Sequence, residues 1–226
     1  MMPLPQSPPD GGALYAETNM ARFFPEPLNA LTSCFFLGIA IFWTFKLRNE
    51  YRNHPYLSIA LILLYIGGIG GTIYHGLRQW SFFILMDWMP IMLLCLSAGV
   101  YFLARLVRWA YALGIVLVYM LFQFYLRSTM ANDPHLFINI NYALMALLVL
   151  LPVTAYLSHT NWQHGKWVGF ALAAFIIALT FRITDQRVNF KFGTHFLWHT
   201  FGAVASFCMF NYIYLVNAMK NRPYHR

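Results

Sequence analysis

The sequence predicts an all-α membrane protein of seven transmembrane helices, with its N-terminus outside or in a lumen and its C-terminus in the cytosol. Three observations predict it. Apolar residues make up 60% of the 226 residues and charged residues only 10%, where a soluble domain carries about 25% charged and about 45–50% apolar. The apolar residues gather into seven runs of spanning length with short polar connections between them. Aromatic residues reach 19%, which suits belts at two membrane interfaces. This composition excludes a disordered chain, a coiled coil and an ordinary soluble enzyme, and the length leaves no room for a separate soluble domain.

Residues 1–27 form a polar N-terminal segment punctuated by Pro3, Pro5, Pro8 and Pro9, then Gly11 and Gly12. It lacks the basic start and apolar core of a cleaved signal peptide, so the first apolar run, 28–45, is expected to remain as the first span. The second run is 56–76, and a short connection at 77–81 leads to the third, 82–103. The fourth to seventh are 109–126, 136–157, 167–181 and 193–216. Each run must be helical, because lipid offers no partner to backbone N–H and C=O groups. The transmembrane domain is thus expected over 28–217, with a basic cytosolic tail at 218–226. Trp80, Trp109, Trp162 and Trp167 sit at predicted span ends and read as belt residues.

The net charge of +8 raises the question of nucleic acid, but no block of five or six basic residues occurs and the cations flank apolar runs. Seven spans put nine Lys and Arg on one side: Lys46, Arg48, Arg52, Arg105, Arg108, Lys166, Lys220, Arg222 and Arg226. The other side holds Arg22, Arg78, Arg127, Arg182, Arg187 and Lys191, together with Asp10, Glu17, Glu26, Asp133 and Asp185. The positive-inside rule then sets the orientation. Cys34, Cys95 and Cys208 fall within apolar runs, form no CxxC, and read as small buried residues.

Few ionisable groups lie well within the runs: His75, Asp87, His195 and His199. His75 closes the outward-running second span, Asp87 opens the inward-running third, and His195 and His199 open the inward-running seventh. All four therefore share one depth, near the N-terminal side of the membrane. A lone histidine in a span is usually a packing residue, whereas four such groups at one level indicate a site, because ionisable side chains are costly in lipid. His195 and His199 are four apart, so a helix turns both imidazoles to one face. With His75 they supply three nitrogen ligands and leave a fourth position open, the pattern of catalytic zinc. Asp87 is then a candidate proton acceptor; its bland alternative is a helix-start cap. No lysine lies within a span, which excludes a retinal protein. Gly67, Gly68, Gly70 and Gly71 permit close helix contact, and Arg182, Arg187 and Lys191 read as anchors.

The order of these residues resembles the alkaline ceramidase family, within the CREST superfamily of seven-span membrane hydrolases. The strings that carry it are Glu26-Pro-Leu-Asn-Ala-Leu-Thr, His75 followed by Asp87-Trp-Met-Pro, and Thr194-His-Phe-Leu-Trp-His, and the likeness covers nearly the whole chain. It implies an intramembrane zinc amidase that cleaves the N-acyl bond of ceramide-like lipids to a fatty acid and a sphingoid base. It also implies zinc on His75, His195 and His199, with Asp87 moving the proton. The family has a serine four residues before the first histidine; here that position is Gly71. Either Thr72, on the same helical face, takes part of that role or the role is absent, and Gly71→Ser is expected to be tolerated or to raise turnover. Animal members carry a calcium site in the N-terminal segment, whose ligands Glu17, Asn19 and Glu26 resemble, although Ala13 and Leu14 stand where a further acidic residue is expected. Two other readings stay open: a seven-span receptor or lipid sensor with a structural zinc, and a lipid ester hydrolase of a sister branch.

Overall fold

The computed structural model describes residues 7–129 and 134–220; Pro3, Pro5, Asp133, Arg222 and Arg226 lie outside the described residues. Among these, all regular structure is helical: α1 (Pro27–Leu47), α2 (Pro55–Leu77), α3 (Ser81–Leu106), α4 (Trp109–Thr129), α5 (Pro134–His159), α6 (Gly165–Thr184) and α7 (His195–Lys220), with one 3-10 turn at Tyr51–Asn53. Among the described residues, six helices are long and apolar enough to cross a membrane, and a shorter apolar helix covers Leu144–His159 within α5. The protein is therefore a multi-pass membrane protein by length and composition. Each predicted run holds a helix, with ends moved by up to four residues. The seventh starts at His195, not Gly193, because Gly193 adopts φ +62° in the preceding turn.

The helices start and stop for local reasons. Pro27 and Pro55 are the first residues of α1 and α2, where a missing N–H costs nothing. α2 ends at Arg78, which takes the left-handed conformation (φ 53°) and sends its N–H to the Tyr74 carbonyl. Glycine is the usual residue there; a side chain with a Cβ gives up about 1 kcal/mol.

The chain divides into two compact units, Met1–Ile91 with His164–Arg226, and Met92–Gln163. In the first, α1 packs against both α2 and α7, and α6 packs along α7. Gly68 lies against Leu37 of α1, and Gly67 and Gly70 lie against Pro90 and Met86 of α3, so the glycines of α2 serve close approach as expected. Ala171, Ala174 and Ala178 are the buried stripe of α6, and Phe181 stacks on Phe201 of α7. Trp43 fills the space between α1 and α7 against Phe210 and Tyr214. In the second unit Gly99 lies against the Leu148 carbonyl, Phe102 meets Tyr156, and Arg105 sits over Tyr101 and Tyr156. Phe45, Ile59, Ile62, Val118 and Phe124 are more than half exposed, the surface that a lipid-facing helix presents.

Candidate metal centre

The first unit brings His75, His195 and His199 together, all buried, with one ring nitrogen of each within 4.8 Å of the others. Their ring centroids lie 4.7–5.4 Å apart. Nε2 of His75, Nδ1 of His195 and Nε2 of His199 are buried and have no hydrogen-bond partner in the protein. Buried polar atoms are nearly always satisfied, so three converging orphan nitrogens fit a bound metal. An all-imidazole set suits zinc and its neighbours in the first transition row.

The rings of His75 and His199 have polar groups behind them, as metal-binding histidines usually do. Nδ1 of His75 lies 2.5 Å from Glu26 Oε2, which fixes the ring and directs Nε2 inward. Ser33 of α1 donates its hydroxyl to the Asn29 carbonyl at 2.9 Å, and its oxygen faces Nδ1 of His199 at 3.5 Å. His195 is placed through the backbone: Oδ1 of Asp185 accepts from the N–H groups of Thr194 and His195 at 2.6 and 2.8 Å, capping α7. Gly193 is required here, because a Cβ would meet that carboxylate and Ala16.

Asp87 lies nearly two turns inside α3, which starts at Ser81, so it is beyond reach of the free N–H groups and is not a helix-start cap. Its carboxylate faces Gly71: a Cβ at that glycine would stand 2.5 Å from Asp87 Oδ1 and 3.1 Å from Ser33 Oγ. The Thr72 hydroxyl turns elsewhere. It donates to the Gly68 carbonyl at 2.7 Å and lies 3.4 Å from Cys34 Sγ. The hydroxyl beside Gly71 and His199 is therefore that of Ser33, not that of Thr72.

The N-terminal segment closes over the centre. Tyr15 stacks on His195 with centroids 3.9 Å apart. Burial pushes its phenol well above the usual range, helped by neighbouring Tyr74, Asp87 and Glu26. Ala16 donates its N–H to Asp185 Oδ2 at 3.0 Å. Glu17 accepts from the N–H groups of Leu28 and Asn29 and so caps α1; burial pushes its carboxyl up against these bonds. Glu26 receives Thr18, Asn29, His75 and Arg78. Burial pushes its carboxyl up, but the His75 bond, with the charges of His75 and Arg78, holds it below the usual carboxylate range.

The donors expected for calcium do not fit that ion. Asn19 is exposed and its Oδ1 accepts from the Ala21 N–H. The oxygens of Glu17 and Glu26 already face protein donors, and Arg78 stands beside Glu26. Ser33, Arg78, Asp185 and Tyr15 were not legible as site residues. For Ser33 the available signal was its place four residues after Asn29 and seven after Glu26, on one helical face.

No family model matches the chain, and no curated protein matches it.

Proposed function

We propose that the protein is a zinc-dependent intramembrane amidase that hydrolyses the N-acyl bond of ceramide-like lipids, as the resemblance to alkaline ceramidases implies. The observation that carries the reading is the triad of buried imidazoles with three unpartnered nitrogens. It is joined by a carboxylate, Asp87, across from Gly71. Three imidazoles are the protein ligands of one class of catalytic zinc site. The finer topology belongs to the same reading: α5 is the seventh membrane-crossing helix, the N-terminus lies outside or in a lumen, and the C-terminus lies in the cytosol.

His75, His195 and His199 would hold the ion. When bound, zinc supplies Lewis-acid polarisation of a carbonyl and activation of water near neutral pH. The remaining work falls to the chain. Asp87 accepts the water's proton and returns it to the leaving amine. Glu26 and Ser33 keep His75 and His199 in the ligating orientation. Tyr15 covers His195 and excludes bulk water from that side. The exposed apolar helix faces let the lipid chains lie alongside the protein while the amide reaches the centre.

Purified protein should contain about one zinc per chain, and His199→Ala should lose most of it. Turnover of an N-acyl sphingoid lipid should stop on chelation and return with zinc. Full zinc retention in all three single alanine variants sinks the shared site. Zinc binding with no turnover of amide or ester lipids favours the receptor reading.

A further inference from the structure

We propose that Arg78 is the resident structural cation of the N-terminal segment and the positioning residue for His75, so that the segment seats without a divalent ion. The part concerning His75 rests on the zinc reading above; the part concerning the segment does not.

The guanidinium is buried, as are both carboxylates it serves. Nε and Nη2 donate to the two oxygens of Asp10 at 2.7 and 3.1 Å, a forked pair that arginine forms and lysine cannot. Nη2 also donates to the Ala13 carbonyl at 3.0 Å, and Nη1 donates to Glu26. Two carboxylates and a carbonyl are the acceptors a hard cation selects. Here they surround a planar cation covalently fixed to the end of α2. A calcium ion would need six to eight oxygens at about 2.3–2.6 Å and would stand beside an unmovable positive charge.

The backbone supports the assignment. Arg78 occupies a left-handed position that most sequences give to glycine, and this conformation returns the side chain over the segment. The coupling to the centre is direct. Glu26 gives one oxygen to Arg78 and the other to His75, so its carboxylate plane, and with it the imidazole, is set by the guanidinium. Tyr74 and Tyr15 complete the enclosure, with the guanidinium carbon 4.7 and 5.9 Å from their ring centres.

The full chain, purified in detergent, is melted in calcium-free buffer and with calcium chloride. An ion held at about 100 times its Kd raises the midpoint of a protein this size by about 5–10 °C. The expected shift is under about 1 °C, and a rise of about 5 °C or more overturns the proposal. Zinc affinity is then measured by competition with a chromophoric chelator. Arg78→Met keeps the bulk without the charge and should weaken zinc about 10–100-fold. Arg78→Lys should weaken it less, since an ammonium serves one carboxylate at a time. Leu57→Ala, a cavity at the other end of α2, should lower the midpoint and keep wild-type zinc affinity. Wild-type zinc affinity and melting in Arg78→Met overturn the positioning role. If that variant does not accumulate, undiminished zinc affinity in Arg78→Lys has the same force. Wild-type protein that binds no zinc refutes the metal reading, and the calcium melt still tests the segment.

Discussion

Gly71→Ser restores the serine of the resembling family, yet the structure predicts that it impairs the protein. A Cβ at Gly71 would stand 2.5 Å from Asp87 Oδ1 and 3.1 Å from Ser33 Oγ. Ordinary contact begins at about 3.4 Å, so the carboxylate must retreat by roughly 0.9 Å. Displacement of a reacting group by about 1 Å costs about 10²-fold in rate, and overpacking costs about 1–3 kcal/mol of stability. Gly71→Ala carries the same Cβ without the hydroxyl and should show the same loss. Gly38→Ser, where nothing lies within 4 Å of the added Cβ, should be silent. The assays are lipid amide hydrolysis in nanodiscs, zinc content, and the melting midpoint. Zinc should stay bound throughout. Wild-type turnover and melting in Gly71→Ser would refute the close approach of Asp87 to α2 on which the reasoning depends.

Ser33→Ala should weaken zinc about tenfold or more by releasing His199, while Thr72→Val, whose hydroxyl bonds the Gly68 carbonyl and faces Cys34, should leave zinc and turnover near wild type. Asp87→Asn keeps the shape but cannot take a proton, and should lower turnover about 10²–10⁴-fold with zinc content unchanged; an active variant removes Asp87 from the mechanism. At the other end of the molecule, burial lowers the pKa of His54 below its ordinary 6.5 despite the neighbouring Glu50. The unfolded chain therefore binds the proton more readily, and the stability from neutral His54 is lost as pH falls below about 6.5. His54→Asn should make the acid limb of the melting-midpoint curve shallower, and an unchanged limb counts against it.

The sequence made the helices and the three histidines legible for the same reason: spans are long apolar runs, and an ionisable group inside one has no bland place to go. Depth along the runs then placed His75, Asp87, His195 and His199 at one level. What escaped was everything whose meaning depends on a distant partner. Arg78 reads as a flanking anchor because it sits just past a span, and only the folded chain brings Asp10 to it. Asp185 reads as a loop residue until its carboxylate is seen capping α7 and holding Ala16, 169 residues away in sequence. Ser33 is an unremarked hydroxyl in α1, since serines in spans ordinarily bond the preceding turn, as this one also does. Thr72 adjoins Gly71 and shares a helical face with His75, but that geometry carries no information about which neighbouring helix a face will meet.

The polar groups of the centre also differ in when they are made. Ser33 and His199 meet across 166 residues of chain, which at about 5–20 residues per second takes the ribosome roughly 8–30 s to synthesise. During that interval α1 and α2 already exist without α7. Glu26, Arg78 and Asp10 all precede α3 and can pair at once, so this guanidinium and its carboxylates need not wait for the later helices. Asp87 of α3 follows them, and Asp185 and the imidazole pair of α7 come last. The order of residues along the chain thus lets the ion pairs of the N-terminal segment form before the three imidazoles can meet.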